Sequence, residues 1–189
     1  MRILLASQSA SRKRALDILG LKYETKPSYF DEKSIREENP IELARKLAEA
    51  KSRGIGEKEA DALVIAGDLF VVFNNKIYEK PKDEKEAFEM LNSFSGNKVE
   101  IIAGVAVYNS NTKKMLSTAE KYTLRFRKLL EYEIKDYMSR YPVLKVSGAF
   151  ETDGAIRFAE GIEKGKYPFL TAFPMNELIG FLRENGIKI

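Results

Sequence analysis

The chain has 189 residues, 44% of them hydrophobic and 32% charged, with a net charge of +4 and an isoelectric point near 9.0; this is a globular composition, long enough for one large domain or two apposed lobes. Cys and His are both absent, which excludes a disulfide framework, a thiolate nucleophile, a zinc–cysteine site and any Ser-His-Asp scheme. The positive balance suits anionic ligands, but acids and bases alternate too evenly to indicate nucleic acid, and no run approaches the ~18 apolar residues that span a bilayer.

In chain order, Arg2 to Ala6 is a short apolar run that reads as a buried parallel strand. The basic residues follow this run, the reverse of a signal peptide, so the expected location is cytoplasmic. A helix is predicted over Ser11 to Leu19, closed by Gly20, and a second strand over Tyr23 to Lys26 before Pro27. A polar loop from Ser28 to Asn39 carries Asp31 and Glu32. Asn39-Pro40 then starts a helix whose Leu43, Ala44, Leu47, Ala48 and Lys51 share one face, with Gly54 as its end.

Leu63 to Phe73 is an apolar and β-branched run, interrupted by Gly67-Asp68. Asn74-Asn75 turns it back into Lys76 to Tyr78 as a hairpin. Asp83 with Glu86 reads as a capping box opening a helix. Val99 to Tyr108 and Met115 to Phe126 are two long antiparallel strands, followed by a helix over Glu131 to Ser139. The tail alternates short strands and turns through Gly148, Gly154, Gly161 and Gly165. Pro174 opens a last helix that packs through Leu178, Ile179 and Leu182. Irregular alternation with long hairpins predicts an α/β fold with a mixed sheet, without linker or repeat.

Four groups of residues could carry chemistry. Ser7, Ser9, Ser11, Arg12, Lys13 and Arg14 occupy a strand-to-helix junction, where free backbone N–H groups and the helix dipole favour an anion. Three cations there are misplaced by about 0.3–1 kcal/mol each unless an anion joins them; the plainer reading is a serine cap with solvated cations. Asp31-Glu32 is an acidic pair beside Tyr29 and Phe30, otherwise a solvated turn. Asp68 lies inside an apolar strand, where an unpaired carboxylate is costly, so it needs a cation, a metal or hydrogen-bond donors. Lys80-Pro81 follows the hairpin, with Lys51 as a companion. Convergence of these groups would make a site for phosphates and a hard cation such as Mg²⁺ or Mn²⁺, since the oxygen ligands come without His or Cys.

The order of these pieces resembles the Maf family of nucleotide pyrophosphatases. The family opens with Leu-Ala-Ser-x-Ser-Pro-Arg-Arg, and this chain has Leu5-Ala6-Ser7-Gln8-Ser9-Ala10-Ser11-Arg12. Similar segments follow at Asp31-Glu32, Lys46-Leu47-Ala48 with Lys51, Ala66-Gly67-Asp68, Lys80-Pro81, Ser95-Gly96, Gly104-Val105-Ala106-Val107, Gly148-Ala149-Phe150, Asp153-Gly154 and Pro174. Where the family has Pro-Arg, Thr, His, a later Thr, Gln and Asn, this chain has Ala10-Ser11, Leu69, Val99, Ala103, Asp153 and Phe169. These departures bear on substrate choice rather than on the fold.

The resemblance implies a single Maf-like domain over residues 1–189, with a mixed, strongly twisted sheet, flanking helices and two lobes around a central cleft. It implies hydrolysis of a non-standard, modified or pyrimidine nucleoside triphosphate to the monophosphate and pyrophosphate. Glu32 and Asp68 would hold a divalent metal cation, Mg²⁺ or Mn²⁺. Lys51 and Lys80 would complete the catalytic set, and Ser7, Ser9, Arg12 and Asp153 would bind substrate. The alternative is a nucleotide-binding regulatory protein with little turnover, linked to septum formation. A nucleic-acid module fits poorly, because the aromatic residues sit in core-like strands. No nucleic-acid or membrane partner is expected, and a homodimer is the commonest closed assembly.

Overall fold

The computed structural model describes residues 1–151, 154–164 and 172–189. Strand β1, Arg2–Leu5, leads into helix α1, Ala10–Ile18. The helix ends because Gly20 adopts a φ of +67°, which lets the Leu21 N–H reach the Leu16 carbonyl at 3.1 Å and closes a Schellman turn. Strand β2 is Glu24–Thr25, shorter than predicted. Helix α2, Pro40–Gly56, starts where Asn39 Oδ1 accepts from the Ile41 N–H at 2.9 Å. It continues two residues beyond the expected stop at Gly54, which is exposed and left-handed by no measure. Gly56 is the residue the packing requires, since a Cβ there would meet the Tyr108 ring at 2.2 Å.

Strand β3 runs unbroken over Ala62–Phe73, with Gly67-Asp68 inside it. Gly67 serves close approach instead of a turn: a Cβ on it would lie 2.5 Å from the Phe173 ring and 2.8 Å from the Gly104 carbonyl oxygen. Asn74 and Asn75, both at positive φ, make the two-residue turn into β4, Lys76–Tyr78, which pairs antiparallel with β3. Helix α3, Glu84–Phe94, is capped by Asp83 Oδ1 on the Glu86 N–H at 2.8 Å. The Glu86 carboxylate reaches back to the Lys82 N–H, one residue beyond the partner a capping box uses. Strands β5, Lys98–Asn109, and β6, Met115–Phe126, helix α4, Glu131–Arg140, strand β7, Ala159–Lys164, and helix α5, Met175–Glu184, complete the fold. The glycine-rich tail forms 3-10 turns at Val143–Lys145, Ser147–Ala149 and Gly154–Arg157 ahead of β7. Among the described residues no helix is long and apolar enough to cross a membrane.

The sheet is mixed, in the order β2-β1-β3-β5-β6-β7 with β4 on β3. β1 pairs in parallel with β2 and β3, while β7 pairs antiparallel with β6. The chain forms two compact units, one of residues 1–68, 103–120 and 167–189, the other of residues 69–102 and 121–166.

In the first unit, alternation along β1 and β3 divides the core in two. Ile3, Leu5, Leu63 and Ile65 face α1 and α5 through Leu16, Leu178 and Leu182, whereas Leu4, Ala6, Val64 and Ala66 face Ile55 of α2 and Tyr108. Ile179 of α5 is only half-buried, off the buried stripe. Gly104 on β5 lets α2 lie close, because a Cβ there would meet the Ala44 carbonyl oxygen at 2.4 Å. Gly104→Ala is expected to cost about 1–3 kcal/mol by forcing α2 outward; an unchanged urea midpoint would show that the helix yields freely.

The second unit is packed with rings. Phe94 meets Phe73, Tyr78, Phe126 and Phe150 at centroid separations of 5.1–6.0 Å, in the tilted and edge-on geometries that aromatic pairs prefer. Arg127 binds the Glu133 carboxylate through both Nη atoms at 2.8 and 2.7 Å and donates to the Arg157 carbonyl, and Arg157 pairs with Asp136 at 2.7 Å. This tie holds the start of α4 to the turn at Gly154–Arg157. Hydrogen bonds from Arg127 take the Glu133 carboxyl from 4.5 down to about 2. A depressed folded value means stability that is complete above the unfolded value of about 4.5 and is lost as pH falls through the folded one. Glu133→Gln is therefore expected to lower the thermal midpoint at pH 6 and to make little difference near pH 2; a gap that stays constant across this range would contradict the assignment.

Candidate active site

Six of the residues singled out in the sequence come from four segments of the first unit. Ser7 and Ser9 lie between β1 and α1. Ser9 Oγ accepts from the Arg12 N–H at 3.5 Å and caps the helix. Ser7 Oγ accepts from the Ser9 N–H and from Arg12 Nη1, each at 3.2 Å. The first turn of α1 contains no acidic residue, so the positive end of the helix and its cations are not offset from within. The Arg12 guanidinium lies 5.7 Å over the Phe173 ring, and its Nε is enclosed with no hydrogen-bond partner among the described residues.

Asp68 is 7% exposed because β3 has already committed its neighbours Val64 to Gly67 to the core. Lys51 reaches it from α2. Ala44, Leu47 and Ala48 bury one face of that helix, and Lys51 follows them at the i+3, i+4 and i+7 spacings that stay on the same side. Its Nζ lies 2.6 Å from Asp68 Oδ1 and 2.8 Å from Glu32 Oε1. Glu32 opens a 3-10 turn, Glu32–Ser34, that Asp31 caps by accepting from the Lys33 N–H at 3.1 Å. The acidic pair thus divides its labour: Asp31 shapes the turn and Glu32 points its carboxylate to Lys51.

Burial pushes the Asp68 carboxyl above the ordinary aspartate range, against the pull of Lys51 and Arg12, and Glu32 adds to the rise. Burial also lowers the Arg12 guanidinium, with Asp68 and Glu32 acting the other way. Asp68 Oδ2 is enclosed and has no hydrogen-bond partner among the described residues. An orphaned carboxylate oxygen and an orphaned guanidinium nitrogen in one site are costly unless a ligand fills them. Together they suit a ligand that offers both an acceptor oxygen and a cation.

A hard divalent ion fits this donor set. Mg²⁺ is usually held by one or two carboxylates, its remaining positions going to water and substrate phosphate. Asp68 and Glu32 offer two, and among the described residues no group of three or more carboxylates gathers to make a protein-only cage.

Lys80 and Asp153 are not among these six residues. Lys80 belongs to the second unit, exposed just ahead of buried Pro81, and lines a hollow of about 440 Å³ with Lys76, Tyr78, Glu86 and Met90. Asp153 and Phe169 lie outside the described residues. Of the departures, Ser11, Val99 and Ala103 are buried; Lys13 is half-buried and Arg14 exposed. Phe173 is a residue that sequence reasoning missed. It is fully buried, supports Arg12 and occupies the space beside Gly67. The available signal was an aromatic immediately before the Pro174 helix start, which reads as ordinary core.

An α/β fold that gathers a serine-capped helix start, two cations and two carboxylates has the parts of a polyphosphate-handling protein. The chain belongs to the family described as Maf-like protein, which it matches over residues 2–185. It is 35% identical to a protein named dTTP/UTP pyrophosphatase from Clostridium botulinum (strain Loch Maree / Type A3), over 99% of this chain and 98% of that one. It is 31% identical to a 7-methyl-GTP pyrophosphatase from Aliivibrio fischeri, over 100% of this chain and 98% of that one. Among solved structures, a nucleoside-triphosphatase / dITP/XTP pyrophosphatase from Mycobacterium abscessus aligns with a TM-score of 0.40 at 15% identity, over 68% of this chain and 76% of that one, a likeness too remote to add to the family match.

Ser7→Ala leaves Arg12 Nη1 without its acceptor beside an Nε that already lacks one. The expected loss is about 1–2 kcal/mol of stability, read by urea unfolding; a midpoint equal to that of the parent protein would show that Ser7 does not anchor Arg12.

Proposed function

We infer that the protein is a nucleoside triphosphate pyrophosphatase acting on a modified, non-standard or pyrimidine nucleoside triphosphate in the cytoplasm. The observation that carries this reading is Asp68: a buried carboxylate with one oxygen on Lys51 and the other without a partner among the described residues, in a chain whose relatives are named as pyrophosphatases of such nucleotides.

In this reading Arg12 and Lys51 bind the phosphate chain, and Ser7, Ser9 and the free N–H groups at the start of α1 orient it. Asp68 and Glu32 would hold Mg²⁺ or Mn²⁺, which when bound would supply a more acidic water and offset phosphate charge, answering the absence of histidine. Water oxygen adds to the α-phosphorus and its proton passes to solvent, while the bond from that phosphorus to the bridging oxygen breaks and pyrophosphate leaves with the bridging oxygen. The cations Arg12 and Lys51 offset the charge that builds on the leaving group. Lys80 and Asp153 are assigned to the same site by the family resemblance, Lys80 as a catalytic cation and Asp153 as a substrate contact.

The test is pyrophosphate release from a panel of pyrimidine and modified nucleoside triphosphates with Mg²⁺ or Mn²⁺. Groups one step removed from a metal already cost about 10–100-fold when mutated, so Asp68→Asn is expected to lower kcat/KM by more than about 100-fold. Equal turnover in the two proteins removes Asp68 from the mechanism. Tight triphosphate binding without release of pyrophosphate points instead to the regulatory role.

A further inference from the structure

Lys51 stands where a cation belongs. One ammonium spans carboxylates from two separate elements, at 2.6 Å from Asp68 and 2.8 Å from Glu32, and the lysine side chain is only 12% exposed. The two contacts are unequal. Glu32 is 55% exposed on a short turn, and ion pairs open to solvent are worth little. Asp68 is enclosed, and leaving its charge unpaired is expensive. Solvent therefore cannot replace the ammonium beside Asp68, but another cation can. A lysine suits such exchange, because it holds by point charge on a flexible stem with no fixed fork of donors. Asp68 Oδ2, enclosed and without a hydrogen-bond partner among the described residues, is a further oxygen that a cation taking the ammonium's place can use.

We propose that Lys51 is an internal substitute for the divalent ion. In the ligand-free protein its ammonium neutralises Asp68 and Glu32 and keeps them together; a divalent ion competes with it for the same oxygens, and the displaced Nζ is released to bind phosphate. The proposal rests on the reading of Asp68 and Glu32 as the carboxylates that hold the metal. It adds that the metal site is already filled by a side chain, so an ion binding alone must first break two ion pairs.

Calorimetric titration of Mn²⁺ into nucleotide-free protein, comparing the parent with Lys51→Met, tests this. Methionine keeps an unbranched, flexible stem and removes the charge. The variant is expected to bind Mn²⁺ at least about tenfold more tightly, a difference of about 1.4 kcal/mol. Its thermal midpoint without metal is expected to fall below the parent's and to rise further on adding Mn²⁺. Equal or weaker Mn²⁺ binding by a folded variant overturns the proposal while leaving the pyrophosphatase reading intact. No binding heat from either protein overturns it together with the metal assignment. If the variant does not fold, the parent protein labelled with ¹⁵N at lysine Nζ gives the answer. The Lys51 ammonium signal, sheltered by two carboxylates, is expected in the metal-free protein and should be lost at saturating Mg²⁺; its persistence overturns the proposal.

Discussion

The charge on Asp68 is the constraint around which the first unit is arranged. The strand that carries it is otherwise apolar, so the carboxylate has surrendered its water without help from its neighbours. Lys51 supplies the compensation directly and Arg12 through space, yet among the described residues one oxygen of Asp68 and one nitrogen of Arg12 find no partner. A pair this enclosed is a poor stabilising device, since well-packed apolar residues of similar volume serve stability as well or better. Its place in a core strand is what the proposed role in catalysis would account for, at the expense of stability.

Holding that arrangement depends on how closely backbones approach. Gly67 and Gly104 have no Cβ, and the space goes to Phe173 on one side and to the Ala44 carbonyl on the other. Ala44 lies two helical turns before Lys51 on the same face of α2, so the depth at which α2 seats on Gly104 sets how far the Lys51 ammonium extends toward Asp68. Phe173, wedged against Gly67, is also the surface on which the Arg12 guanidinium rests. The two glycines therefore position the two cations, although neither carries a functional group.

The start of α1 works by the same economy. Serine caps and a Schellman end define a nine-residue helix whose first turn is left positive, with Arg12 folded back onto Ser7. Ser9 caps the helix and Ser7 holds the arginine, so the free N–H groups and the cation that would suit an anion come from the same short junction that starts the helix.

Much of this was legible locally. The extended run at Arg2–Leu5, the Asn39 cap, the Asn74-Asn75 hairpin and the Pro174 helix start follow from signals within a few residues of each element, because capping, turn conformation and side-chain periodicity are short-range physics. Composition alone excluded thiol, imidazole and zinc–cysteine chemistry, and the polarity of Asp68 within its strand marked it as a residue requiring a partner. What the sequence could not determine was which partner. The Lys51 contact joins residues 17 apart on different elements, the Arg12 contact with Phe173 joins opposite ends of the chain, and the unbroken course of β3 through Gly67-Asp68 depends on what packs against that glycine. Those outcomes belong to tertiary structure, since the depth of a helix on a sheet and the side chain beneath a guanidinium are set by the packing of remote segments, and a carboxylate's environment exists only once that packing is complete.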